Sequence, residues 1–219
     1  MNVFDIIGPV MIGPSSSHTA GAVRLGAIAR KILGEPATWA DIGLCGSFAE
    51  TYRGHGTDKA LIAGILGMQS DDCRIRNSLE LAAECGMEVF FHPESRPNAH
   101  PNTAHISLRG IHGASASIVG ASVGGGNILV TEINGMHAEV SGQYPTLIIL
   151  HYDRAGTIAA VSSTVADSEV NIGKFQLSRP QKGGEAVMTI EVDGGVPAGL
   201  LEQLQVLPNV IKAILIQPV

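Results

Sequence analysis

Cysteine is scarce in this 219-residue chain: Cys45, Cys73 and Cys85 are its only three, unevenly spaced and with no Cys-x-x-Cys pair. That excludes the common zinc, redox and cluster-binding motifs, and an odd number of thiols reads most simply as three reduced cysteines packed in or near the core. Charged residues make up only 16% of the chain and the net charge is −6, which argues against a general binder of nucleic acid or of anionic membranes. No apolar run approaches the roughly 18 residues of a spanning helix. No basic stretch followed by an apolar one stands near the N-terminus, so the expected location is the cytoplasm. What is abundant is apolar residues, 45%, and glycine, 27 residues, the composition of a globular chain long enough for one large or two ordinary domains.

The densest functional stretch is Ile12-Gly13-Pro14-Ser15-Ser16-Ser17-His18-Thr19. Hydroxyls and an imidazole stand there before an apolar run in which Leu25, Ile28 and Ile32 share one helical face, and Gly34 and Pro36 stop that run. Ser17 or a neighbour is expected to cap the helix, whose first-turn amides and dipole attract a carboxylate or phosphate. The same pattern also starts ordinary helices. No Gly-x-x-x-x-Gly-Lys-Ser/Thr is present, which removes the commonest phosphate-binding version.

A strand is expected over Thr38 to Gly46, broken by Gly46-Ser47-Phe48-Ala49-Glu50. A second glycine-bracketed loop, Tyr52 to Asp58, then feeds a helix and carries His55, whose flanking glycines allow close approach of a ligand. A short helix over Ser78 to Cys85 and strands over Met87–Phe91, Ala104–Arg109, Ser115–Val119 and Ile128–Ile133 follow. The loop His92 to Thr103 holds His100-Pro101-Asn102, and Gly124-Gly125-Gly126 makes either a tight hairpin or a bend whose amides face an anion. His92, His100, His105 and His112 lack the spacing of a helical metal pair, so no metal ligand is expected in this chain.

Ser141 to Pro145 reads as a linker dividing residues 1–142 from 145–219. Beyond it the pattern is strand (Leu147–Tyr152), helix (Gly156–Asp167), strand (Val170–Ser178), strand (Glu185–Val192), a helix opened by Pro197, and strand (Val210–Ile216). That βαββαβ order is the ferredoxin-like arrangement.

Four segments in order carry a resemblance: Gly-Pro-Ser-Ser-Ser-His-Thr at 13–19, Gly-His-Gly-Thr-Asp-Lys at 54–59, His-Pro-Asn at 100–102 and Ser-Val-Gly-Gly-Gly at 122–126. With them the chain resembles the β chain of the iron–sulfur-dependent L-serine dehydratases. Its first domain is also similar to the allosteric-substrate-binding α/β domain of some phosphoglycerate dehydrogenases. Asp153-Arg154-Ala155-Gly156 and Val170-Asn171-Ile172 make its second domain resemble an ACT domain. The resemblance implies an α/β (α+β) protein that dehydrates and deaminates L-serine, with a [4Fe–4S] cluster held by a partner α chain, no cofactor bound by this chain and no activity of this chain alone. It implies His55 as the base, with His18 as the alternative. Ser15, Ser16, Ser17, Thr19, Asp58, Asn102, Gly124, Gly125 and Gly126 would bind substrate, and His151 and Asn171 an effector across an ACT-domain homodimer. A different class stays open: an amino-acid-sensing regulatory module with no chemistry of its own.

Overall fold

The computed structural model describes residues 10–13 and 15–218, so Pro14 of the serine motif lies outside the described residues. The chain divides between Asn134 and Gly135 into two compact units. Among the described residues no helix is long and apolar enough to cross a membrane.

The first unit opens on a single π turn, Ser17–Gly21, in which the Gly21 amide reaches back five residues to the Ser16 carbonyl at 3.0 Å. This turn runs into helix α1, Ala22–Leu33. Leu25, Ile28 and Ile32 are buried as the spacing requires, and Gly34 ends the helix in the left-handed region at φ 79°. Strand β1 (Ala37–Leu44) follows, then helices α2 (Gly46–His55) and α3 (Thr57–Leu66), a 3₁₀ turn (Cys73–Asn77) and helix α4 (Ser78–Glu84). Four strands complete the unit: β2 (Glu88–Pro93), β3 (Thr103–Gly110), β4 (Ser115–Gly124) and β5 (Asn127–Ile133). They lie in the order β2-β1-β3-β4-β5, with β1 and β2 parallel and the other pairs antiparallel.

Helix α1 lies across β3 and β4, with Leu25 seated over Gly120, where an added Cβ would stand 2.7 Å from Leu25 Cδ2. Helix α3 packs on α1 through two glycines. A Cβ on Gly26 would meet the Leu61 carbonyl at 2.2 Å, and one on Gly64 the Val23 carbonyl at 2.0 Å. The two backbones therefore touch with no side chain between them, which sets the starts of both helices side by side.

Three local expectations for this unit are corrected. Residues 46–55 form a helix rather than a break and loop, because Phe48 is fully buried and anchors that turn. His55 therefore ends a helix instead of sitting in a loop. Ser17 does not cap α1: the residue before the π turn, Ser16, is already helical and makes no side-chain cap bond. The Ser15 hydroxyl does that work, accepting the His18 amide at 3.4 Å, while the Ser15 carbonyl takes the Thr19 amide at 2.9 Å. Finally β4 continues unbroken through Gly120 to Gly124, since a glycine is what lets α1 approach the sheet at that point.

The second unit comprises strand β6 (Met136–Val140), β7 (Thr146–Tyr152), α5 (Thr157–Asp167), β8 (Ile172–Ser178), β9 (Glu185–Val192), α6 (Leu200–Gln205) and β10 (Val210–Ile216). From β7 onward this is the expected βαββαβ order, and its four strands run β10-β7-β9-β8 with every pair antiparallel. Leu147, Ile149, Val161, Val165, Met188, Ile190, Leu200 and Leu204 form its core. Pro197 does not open α6; the helix starts at Leu200 behind Gly199, held at φ 90°. Strand β8 starts at Ile172 rather than Val170, after Glu169 turns the chain at φ 57°.

Candidate active site

The starts of α1 and α3 and the end of α2 bring two imidazoles together. His18, in the π turn, and His55, the last residue of α2, have ring centroids 4.7 Å apart at 73°. Phe48 of α2 closes the other side of His18, edge-on at 5.2 Å. His18 is buried, whereas His55 is exposed, and among the described residues no hydrogen bond engages the His55 ring. Burial, and secondarily the charge of a protonated His55, hold the His18 pKa below its ordinary 6.5. His18 is thus kept neutral. Its Nδ1 faces the Ser15 hydroxyl at 3.3 Å and its Nε2 the Thr51 hydroxyl at 3.2 Å, and Thr51 Oγ1 donates in turn to the Ser47 carbonyl at 2.7 Å.

Gly56 alone joins α2 to α3, in the left-handed region at φ 71°. The Thr57 hydroxyl beyond it is buried without a hydrogen-bond partner among the described residues, as is that of Ser122. Asp58 sits in the first turn of α3, where a carboxylate complements the helix dipole, and its Oδ1 accepts the Lys59 amide at 2.8 Å. Among the described residues no hydrogen bond or ion pair joins it to His55.

The sheet reaches the same turn from below. Ser122 Oγ lies against Gly21, where a Cβ would come within 2.1 Å. The Ser122 amide donates to the Asn102 carbonyl at 3.0 Å, and Asn102 Nδ2 donates to the Ser122 carbonyl at 3.5 Å. Gly124, Gly125 and Gly126 all adopt positive φ, at 107°, 60° and 81°, and form the tight hairpin between β4 and β5. Arg24 of α1 grips that hairpin, Nη1 donating to the Gly126 carbonyl at 2.6 Å. The loop carrying Asn102 is braced by an ion network. Glu94 accepts from Arg96 Nε at 2.8 Å and faces His105 Nδ1 at 3.1 Å, and Arg96 Nη1 meets Glu132 at 3.1 Å. Burial opposes the Glu94 charge, but the hydrogen bonds and positive charge of Arg96 and His105 prevail and lower its pKa.

The structure thus gathers Ser15, Ser16, Ser17, His18 and Thr19 in one turn, and brings His55 onto His18. Asn102 reaches that turn through Ser122, and Gly126 is tied to α1 through Arg24. Four residues with evident parts in this arrangement, Arg24, Phe48, Thr51 and Ser122, are not among the sequence-derived site residues. The spacing of Phe48 and Tyr52, four apart, is the signal that would have revealed α2 and with it Thr51. In the second unit His151 and Asn171 do not meet. His151 pairs with Ala186 at one end of β9, and Asn171 precedes Ile172, which pairs with Val192 at the other.

The chain's donors do not fit an iron–sulfur cluster. Cys45 is buried beside Glu94 and Arg96, Cys73 and Cys85 are exposed on separate elements, and no group of three metal-binding side chains gathers among the described residues.

Fold and site together define a two-unit protein: an α/β unit with paired imidazoles ringed by hydroxyls, and a ferredoxin-like βαββαβ unit. The profile of the family described as "Serine dehydratase beta chain" matches residues 2–133, and that of the "ACT domain" matches residues 146–209. The chain belongs to the serine dehydratase beta chain family and carries an ACT domain. It is 44% identical over 211 residues, 96% of each chain, to the probable L-serine dehydratase, beta chain, of Bacillus subtilis (strain 168). To the L-serine dehydratase, beta chain, of Peptoniphilus asaccharolyticus it is 38% identical over 193 residues, 88% of this chain and 87% of that one. It also resembles the D-3-phosphoglycerate dehydrogenase of Methanocaldococcus jannaschii, 35% identical over 94 residues, 43% of this chain and 18% of that one.

Proposed function

We propose that this chain is the β subunit of an L-serine dehydratase, converting L-serine to pyruvate and ammonia with an α subunit that holds a [4Fe–4S] cluster. The observation that carries the reading is the imidazole pair: an exposed His55 stacked edge-on against a buried, neutral His18 at the mouth of a serine-rich turn. β-Elimination needs a base for the weakly acidic Cα proton, and imidazole is suited to that near neutral pH. His55 takes that proton. Ser16, Ser17 and Thr19, at the positive end of α1, and Asn102 with Gly124 to Gly126 hold the carboxylate, Ser15 serves through its bond to His18, and Asp58 meets the ammonium group. A cluster held by the partner chain would supply a Lewis acid for the leaving hydroxyl. Co-expressed anaerobically with a cysteine-rich partner, the chain is expected to form pyruvate from L-serine, and His55→Ala to lower turnover by about 10²–10⁴-fold in an otherwise intact complex. Full activity in that variant overturns the assignment.

The ACT unit supports a second, regulatory role. His151 is 1% exposed, donates from Nδ1 to the Tyr152 carbonyl at 2.9 Å, and leaves Nε2 buried without a partner among the described residues. Such an acceptor is costly unless something binds it. With Asn171 at the far end of the sheet, a two-fold pair of chains would unite the two residues around one amino acid. L-Serine is expected to raise the melting temperature of the full chain, and His151→Ala to abolish that rise.

A further inference from the structure

We propose that Thr51 is a positioning residue that fixes the tautomer of His18 and so makes His55 the member of the pair that accepts the proton. The inference rests on the catalytic reading of the pair given above, and assigns the two rings unequal parts.

The donor hydrogens around His18 decide its tautomer. A threonine hydroxyl carries one, and that of Thr51 is committed to the Ser47 carbonyl at 2.7 Å, one helical turn back. Thr51 Oγ1 can then only accept from His18 Nε2 at 3.2 Å, so Nε2 carries the ring proton. Nδ1 is left as a lone pair and takes the Ser15 hydroxyl proton at 3.3 Å, while the Ser15 oxygen accepts the His18 amide at 3.4 Å. The relay from Ser47 through Thr51 and His18 to Ser15 closes with every site filled. Neither nitrogen of His18 is available to a substrate.

The consequence lies in the neighbouring ring. Two adjacent imidazolium ions in a partly desolvated site repel strongly. A His18 locked neutral by two hydrogen bonds and wedged between Phe48 and His55 lets His55 take a proton without a second positive charge 4.7 Å away. It also holds the His55 ring upright for that transfer. Thr51 touches no substrate; it acts through His18.

The test uses the full chain and two substitutions, Thr51→Val, nearly isosteric but unable to hydrogen-bond, and Thr51→Ser, which restores the hydroxyl. Imidazole ¹⁵N–¹H spectra of the wild type are expected to show the His18 proton on Nε2 and protected from exchange. Thr51→Val should speed that exchange by roughly tenfold, the worth of one hydrogen bond, and Thr51→Ser should restore it. A wild-type His18 protonated on Nδ1, or protection unchanged in Thr51→Val, overturns the proposal, and the wild-type spectrum decides even if a variant fails to fold. In the complex with the partner chain, Thr51→Val is expected to lower kcat about tenfold with KM little changed, and Thr51→Ser to recover it. Unchanged kcat in Thr51→Val overturns the positioning role. Absence of pyruvate formation in the wild-type complex refutes the catalytic reading instead, while the spectra still decide the tautomer.

Discussion

Individual side chains here carry opposite protonation demands, and these have measurable signs. His18 is held neutral, so the unfolded chain takes up its proton near pH 6.5 and the folded chain only at lower pH. Stability is therefore expected to fall as pH drops from about 6.5 through that window, and His18→Gln to flatten this part of the profile in chemical denaturation. Glu94 is held charged, so its contribution is complete above its ordinary 4.5 and is lost as pH falls below that value. Glu94→Gln should flatten only this lower window. Cys45 provides a third reading. Burial, then the charge of Glu94, raise its thiol pKa, whereas Cys73 and Cys85 are exposed. Mass spectrometry after brief alkylation is expected to find Cys73 and Cys85 modified first, since each unit of upward shift costs about tenfold in thiolate. At this scale the sequence showed which chemistry-bearing residues exist, because hydroxyls and histidines beside glycines stand out. It could not show that Thr51 belongs with them, since a helical threonine is ordinary until its partners are seen.

Among elements, the crossing of α1 and α3 decides where the imidazoles stand. The atoms that a Cβ on Gly26 or Gly64 would meet are backbone carbonyls, which cannot turn aside. Gly64→Ala is expected to destabilise the first unit by about 1–3 kcal/mol, as overpacking does, and to weaken the His18–His55 ring contact in NMR spectra. A variant that melts like the wild type would show that the helices are free to separate. The elements with clean periodicity were legible: α1 from Leu25, Ile28 and Ile32, β9 and β10 to the residue. Helix α2 was not, because glycine and serine at its start and Gly54 inside it read as loop, and only burial of Phe48 against the tertiary structure overrides that propensity. Strand β6 escaped too. It is five residues long and lies next to Gly135, which the pattern treats as punctuation.

At the level of the whole chain, each unit has its own interior. The second is built on Leu147, Ile149, Met188 and Ile190 with Val161, Val165, Leu200 and Leu204. Residues 135–219 expressed alone are accordingly expected to unfold cooperatively by circular dichroism, and Ile149→Ala to cost that unit about 2–5 kcal/mol, the range for buried large-to-small changes. The order of its strands and helices could be read in advance because each is short, alternating and bracketed by turns. Within a single chain, by contrast, nothing in residue order reveals that His151 and Asn171 stand at opposite ends of a sheet.

Gly56 stands between His55 and Thr57 at φ 71°, yet apart from its chain neighbours no atom lies within 4 Å of where its Cβ would be. Room is therefore not what the glycine supplies; bearing is. A single peptide unit sets the heading of the imidazole relative to the next helix, like the pivot of a compass. Asparagine, which tolerates that twist, should leave the heading intact at the same site where valine, of similar bulk, swings it away.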